Sequence, residues 1–225
     1  SSRGLRARDA RCARRPAGEV PLSGGRPRRA IYSPPGGGRA AAVGEAWPAA
    51  PLPYLVSHRD RPPGDAGHDD YCAGSRQYRW QEEWPAADFL ASLAEYGPMN
   101  GVPLPSSRLG TLLDVRVDAR SHSGRVWRLL VDTSTGEIVI PAWSLRQVLR
   151  RPGNGRAILR SNLFKVDVRR DPRSDRVVSV VMSGAGSGHG VGLCQTGALG
   201  MARDRRSAEE ILRHYYPGAD IQRLY

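Results

Sequence analysis

The residue with the clearest chemical potential is His189. It lies in the run from Ser183 to Met201, where positions 184, 186, 188, 190 and 192 are all glycine. Glycine accepts positive φ and lets a ligand or a second backbone come close, so a histidine between Gly188 and Gly190 has little steric cover. Such a ring either hydrogen-bonds within a buried turn or faces a ligand, and the residue types leave both open. On the second reading His189, Gly190, Gly192 and Gln195 line one groove. A glycine loop between a strand and a helix also invites comparison with phosphate cradles. That comparison fails: Gly184-x-Gly186 would need its third glycine at position 189, and there is no lysine nearby for a Gly-Lys-Ser/Thr loop. Cys194 reads more readily as a small buried hydrophobe than as a nucleophile, because no base is paired with it.

Other candidates are weaker. Glu82 and Glu83 stand between Trp80 and Trp84. They read as an acid flanked by sugar-stacking aromatics or as solvated carboxylates at the start of a helix, and the second is expected. Tyr78 and Trp80 suit either a carbohydrate platform or core packing, since both rings pair a large apolar face with a polar tip. His58, His68, Asp69 and Asp70 share a loop, but their spacing matches no standard ligand set. Cys12, Cys72 and Cys194 are far apart and form no CxxC pair, so no metal site is assigned. His214, beside Tyr215 and Tyr216, is expected to pack.

These residues need elements to hold them. Residues 1–18 are arginine-rich and aperiodic and read as a loose segment. Residues 19–225 read as one domain. The apolar patches Glu19–Leu22 and Arg29–Tyr32, split by Ser23-Gly24-Gly25-Arg26, suggest a hairpin. Residues 47–79 lack periodicity and form a long Pro/Gly-rich loop. Phe89, Leu90, Leu93 and Ala94 recur at helical spacing before Gly97-Pro98. Leu113, Val115, Val117 and Ala119 alternate with polar residues, which predicts a half-buried strand. Further strands are expected at Val126–Val131, Glu137–Ile140, Phe164–Val168 and Val177–Met182, with a short helix around Trp143–Arg150. Two helical pieces close the chain, the second opening on a Ser207/Glu210 capping box. Strand-turn-strand order favours antiparallel pairing, so the class is α+β, mainly antiparallel strands with a few short helices.

Composition narrows the function. The chain has 225 residues with 34 Lys+Arg against 22 Asp+Glu, a net charge of +12. Mean hydropathy is -0.48, and no apolar run approaches the ~20 residues of a membrane-spanning helix. Lys165 is the only lysine; the arginine excess matches a GC-rich codon bias and favours polyanionic surfaces. Charge without a recognised module does not make a nucleic-acid binder. The chain opens Ser1-Ser2, with no methionine before Met99 and no apolar leader; a fragment lacking its natural N-terminus is expected.

The stretch Gly188–Gln195 (GHGVGLCQ), then Gly197–Ala202 (GALGMA) and Ile211–Ala219 (ILRHYYPGA), resembles the C-terminal signature of the SpoIID/LytB family. Upstream, Arg160-Ser161 with Phe164–Val166, Arg120–Val126, Tyr71-Cys72 with Tyr78–Trp80, and Arg26–Tyr32 followed by Gly37–Arg39 resemble its other motifs in the family's order. The resemblance covers residues 17–225. It implies a SpoIID-like fold and an exported protein of the bacterial cell envelope that binds and remodels peptidoglycan glycan strands. One branch of the family is a sporulation lytic transglycosylase; the other comprises enhancers of a cell-wall amidase, so an amidase is the alternative partner. The family's catalytic glutamate, and the His/Cys segment that holds zinc in some members, belong upstream of anything matched here. Neither Glu19 nor Glu45 occupies that motif. The resemblance therefore implies no cofactor for this chain and leaves catalysis open. The family's usual Cys-Gly-Gly turn has Gly36 in place of its cysteine, which would leave Cys72 without a disulfide partner.

Overall fold

The computed structural model describes residues 19–23, 26–27, 30–62 and 69–223; the arginine-rich segment 1–18 and His68 lie outside them. At the start, β1 (Glu19–Ser23) pairs antiparallel with β2 (Arg26–Pro27). The expected hairpin between Glu19–Leu22 and Arg29–Tyr32 is thus shorter. β3 (Tyr32–Ser33) leaves it and pairs elsewhere, as given below. The stretch from Trp47 to Tyr78 has neither helix nor named strand among its described residues, in line with the loop expected over 47–79. It is nonetheless anchored, with Tyr54 and Leu55 buried and Asp60 N–H donating to Gly38 O over 3.1 Å.

Where a helix start was expected, Arg79–Pro85 forms β4, and α1 (Ala86–Tyr96) begins directly after it. The tertiary reason is pairing: β4 lies along a later strand, so Glu82 and Glu83 sit on a sheet instead of in a solvated first turn. α1 turns Phe89 and Leu93 fully inward, as their spacing requires.

β5 (Leu112–Arg120), β6 (Val126–Thr133) and β7 (Gly136–Pro141) form an antiparallel meander in that order. Val115 is buried as its alternation predicts, but a register shift between Leu112 and Asp114 turns Leu112 in and leaves Leu113 half exposed. Such an irregularity shifts the facing side chains out of strict period two. α2 (Ala142–Val148) follows, then a hairpin of β8 (Arg150–Arg151) and β9 (Asn154–Ile158). β10 (Phe164–Arg170) and β11 (Val177–Ala185) complete a second sheet of order β10-β11-β4. β11 is its middle strand, and its near-continuous burial explains why it reads as an apolar run without alternation. The two sheets and α1 and α2 enclose the larger core, which includes Trp84, Phe89, Leu129, Ile140, Leu145 and Phe164.

The chain then closes with β12 (Leu193–Cys194), α3 (Gln195–Arg203), α4 (Ala208–Tyr215) and β13 (Asp220–Arg223). β12 lies parallel to β3, and β13 lies antiparallel to β1. The Ser207 hydroxyl accepts from Glu210 N–H while the Glu210 carboxylate accepts from Ser207 N–H, the capping box expected for α4. A second core fills the space between α3, α4 and the long loop, with Val43, Tyr54, Leu55, Cys72, Met201, Tyr215 and Tyr216 among its residues. The class is α+β.

Candidate functional site

The glycine-rich loop leaves β11 at Ala185 and reaches β12 through residues 186–192. It is held by distant backbone: Ser187 N–H donates to Pro35 O at 2.8 Å, Gly188 N–H to Arg160 O at 2.7 Å, and Gly190 N–H to the Ser33 hydroxyl at 3.0 Å. At Gly190 φ is +75°, and an added Cβ would lie 1.9 Å from Nη2 of Arg125. Any side chain there would expel the arginine. The glycine at 190 therefore makes room for the protein's own guanidinium, with His189 presented beside it.

Arg125 follows the turn between β5 and β6 and is 3% exposed. Its Nη2 donates to the carbonyls of Gly36 and Arg39 at 3.2 and 3.1 Å, whereas Nε and Nη1 have no partner. Burial pulls its pKa down to about 10, with Glu45 opposing and Arg39 adding to the drop. It stays cationic at neutral pH. The Glu45 carboxylate accepts from the Ser121 hydroxyl at 2.7 Å and from Ser123 N–H at 3.1 Å. This ties the 43–45 turn to the β5–β6 turn.

His189 is neutral. Burial first, then Arg146 and Arg125, pull its pKa down to about 4. Its Nδ1 accepts from Val191 N–H at 3.0 Å, so the proton of the neutral ring sits on Nε2, assigned by that hydrogen bond. The Trp47 ring lies 4.7 Å from the imidazole, centroid to centroid.

These groups meet at a cavity of about 130 Å³ between the glycine loop, the 45–47 turn and α2. Arg125, Gln147, Asn162 and His189 all line it. Four buried polar atoms of these lining residues lack partners: Arg125 Nε and Nη1, Gln147 Oε1 and Asn162 Oδ1. Two are donors and two are acceptors. Trp47 (37% exposed) and Trp143 (48% exposed) also belong to the lining, and Trp143 is braced edge-on by Trp127 at 6.0 Å. A neutral donor, two arginines, one carboxylate and two unmet acceptors beside exposed aromatic rings suit a polar, uncharged or weakly acidic ligand with some apolar surface.

The remaining sequence candidates fall elsewhere. Gly190 backs the cavity through Arg125, while Gly192 packs against the Ile31 carbonyl, where β12 meets β3. Gln195 is exposed at the first position of α3, outside the lining. Trp80 is in the core, its ring against Phe164 and its Nε1–H donating to Gly186 O at 2.9 Å. Tyr78 donates to Asp70 at 2.6 Å. Neither lines the cavity with His189: pairing of β4 with β11 turns Trp80 inward, and Tyr78, just before β4, is tied to Asp70. Glu82 is held by Arg151 and Arg160 at 2.8 and 3.0 Å, and Glu83 by Arg169 and Ser179.

Sequence reasoning set Glu45 aside and missed Trp47, Arg125, Trp143, Gln147 and Asn162. A signal existed for Trp143: it is the aromatic on the face of α2 opposite Leu145 and Val148. For the others nothing local marks a site. The structure also sets Cys72 beside Cys194: the ligand atoms of Asp60, Cys72 and Cys194 lie within 4.8 Å of one another, all buried. Cys72 thus has a sulfur neighbour despite the glycine at position 36. No residue of this cluster lines the cavity.

The family model described as a domain of unknown function (DUF8618) matches residues 65–192, more than half of the chain. The chain belongs to that family. A 42-residue stretch is 55% identical to an uncharacterized protein of Brachyspira hyodysenteriae; the match covers 19% of this chain and 11% of that relative.

Proposed function

We propose that this DUF8618 member binds peptidoglycan glycan strands through the cavity beside His189, as a SpoIID/LytB-like wall-remodelling domain of the bacterial cell envelope. The observation that carries the reading is one cavity whose lining residues hold four unpartnered buried polar atoms, with Trp47 and Trp143 in the same lining. A buried polar group without a partner is destabilising by about 1–3 kcal/mol, so a site that concentrates four of them is matched to a ligand. Sugar hydroxyls both donate and accept, and can meet Gln147 Oε1 and Asn162 Oδ1 as well as the arginine N–H groups. The arginine fork suits an N-acetyl carbonyl or a lactyl carboxylate. Apolar faces of sugar rings fit against indoles.

Binding without cleavage is the form the site supports best. Transglycosylation needs a carboxylic acid that donates a proton to the glycosidic oxygen. Glu45 is the carboxylate on the cavity lining, and it is already accepting from Ser121 and Ser123. His189, with its pKa near 4, carries no second proton at neutral pH. These features favour the reading in which the chain holds strands for a partner such as a wall amidase. The experiment is co-sedimentation with purified peptidoglycan, followed by mass spectrometry of the supernatant. Strand binding with no anhydro-muramyl products is expected. Failure to bind would overturn the proposal, and product at catalytic protein levels would overturn its non-catalytic form.

A further inference from the structure

We propose that Asp60, Cys72 and Cys194 form a buried binding site for a thiophilic divalent cation, with Zn²⁺ the best fit. The three ligand atoms lie within 4.8 Å of one another, and the side chains come from segments far apart in the chain. Asp60 is 1% exposed, Cys72 fully buried and Cys194 4% exposed. The second observation is the carboxylate itself. Asp60 Oδ1 accepts from the Tyr215 hydroxyl at 2.5 Å, while Oδ2 is buried and has no partner. A carboxylate oxygen left bare in an interior is costly unless something positive meets it.

The surroundings fit a metal-bound thiolate. Cys194 Sγ accepts two backbone N–H bonds, from Gly36 at 3.3 Å and from Gly197 at 3.2 Å. Such outer hydrogen bonds orient metal ligands and tune them. Gly197 also permits the approach of Asp60: a Cβ at that position would lie 2.7 Å from Oδ2 and 2.1 Å from the Tyr215 oxygen. The cluster therefore sits against the N-terminal turn of α3, whose backbone amides would offset part of the negative charge of two thiolates and a carboxylate. Two sulfurs and one oxygen select zinc-like ions over calcium or magnesium, which take oxygen ligands.

Around this core stand two imidazoles with unmet nitrogens. His214 Nε2 is buried, has no hydrogen-bond partner and lies 3.7 Å from Asp60 Oδ1. His58 Nδ1 meets the Val56 carbonyl at 3.2 Å, its Nε2 is unpartnered, and its ring is 5.1 Å from that of His214. His214 stands outside the three mutually close ligand atoms and is placed to steady Asp60 from beside the shell. A bound ion would tie the long loop to the start of α3, just beyond the glycine loop that presents His189.

The test uses the full chain, reduced, stripped with chelator and titrated with Co²⁺ and then Zn²⁺. A saturable near-ultraviolet sulfur-to-cobalt band at about one equivalent is expected, abolished by Zn²⁺. Saturating Zn²⁺ should raise the melting temperature by about 5–10 °C. Asp60→Asn and Cys72→Ser should each weaken Zn²⁺ binding by about tenfold or more. Because either variant can lose the fold, the titration of the unsubstituted chain decides by itself. Absence of a thiolate-to-cobalt band in the reduced, folded chain overturns the proposal. So does a Cys72–Cys194 disulfide whose reduction yields two thiols that take up no Co²⁺.

Discussion

The cavity beside His189 and the cluster around Asp60 share an unusual property and differ in how it can be resolved. Among the described residues, eight buried side-chain polar atoms have no hydrogen-bond partner. Four belong to residues that line the cavity, and three (His58 Nε2, Asp60 Oδ2 and His214 Nε2) lie in or beside the cluster; Arg150 Nε is the other. The cavity has two exposed tryptophans in its lining, and the unmet atoms of its lining residues mix donors with acceptors, a set suited to a polar molecule. The cluster is closed, and its unmet atoms are a carboxylate oxygen and ring nitrogens beside two thiols, a set matched to an ion. Unsatisfied polarity alone does not name a ligand. Access and donor chemistry together do.

The largest effect expected from this contrast is on stability at the closed site. Asp60→Ala removes the acceptor of the buried Tyr215 hydroxyl and should cost about 2–4 kcal/mol in denaturant unfolding. A loss below about 0.5 kcal/mol would mean the cluster is no more than ordinary packing. At the open site the effect should fall on binding instead. His189→Ala and Arg125→Gln should each weaken peptidoglycan co-sedimentation about 10–100-fold, the range for losing a hydrogen bond at a polar or charged group. His189→Ala should move the melting temperature much less than Asp60→Ala does. The reverse pattern would make the glycine loop a structural element only.

Smaller effects refine the comparison. Trp47→Ala and Trp143→Ala should each weaken strand binding about 3–10-fold, a stacking-sized loss; unchanged binding would detach the tryptophans from the site. Acid should act on stability before binding. His189 has its folded pKa lowered to about 4 and His58 is lowered too, burial being the first cause of both. The unfolded chain therefore takes up protons first, near the ordinary histidine value of 6.5. The histidine contribution to stability is whole above that pH and declines as pH falls toward 4. Binding measured on folded protein should stay flat from about pH 7 down to about pH 5, because the ring remains a neutral donor. Binding that rises as pH falls across that window would mean the imidazole is charged when it works. The smallest effect is electrostatic: raising salt should weaken wall binding about two- to threefold through screening of exposed arginines, and salt-independent retention would remove surface charge from the account.

The parts of the molecule that were readable in advance share one feature. Phe89 and Leu93 in α1, Val115 in β5 and the Ser207/Glu210 box of α4 are governed by neighbours within one turn or one strand. Local spacing was enough. Of the candidate cavity, the residues singled out in advance were His189 and Gly190, because a glycine loop exposes whatever side chain it carries. Glu45, Trp47 and Arg125 were not readable, since each is recruited from a different part of the chain by contacts that leave no periodic trace. Trp80 shows the opposite failure: its type suits a sugar platform, and only the pairing of β4 with β11 turns it into the core.

By itself the sequence determined the class of fold, the main strands and helices, and the position of the glycine loop, because side-chain period and turn chemistry act over a few residues. Tertiary structure alone decided which segments meet. β3 lies along β12 across most of the chain's length, Arg125 fills the space that Gly190 leaves, and Cys72 is brought beside Cys194. Spacing along a strand or helix says which face is buried, but not what it is buried against. Both candidate sites were therefore settled by long-range packing.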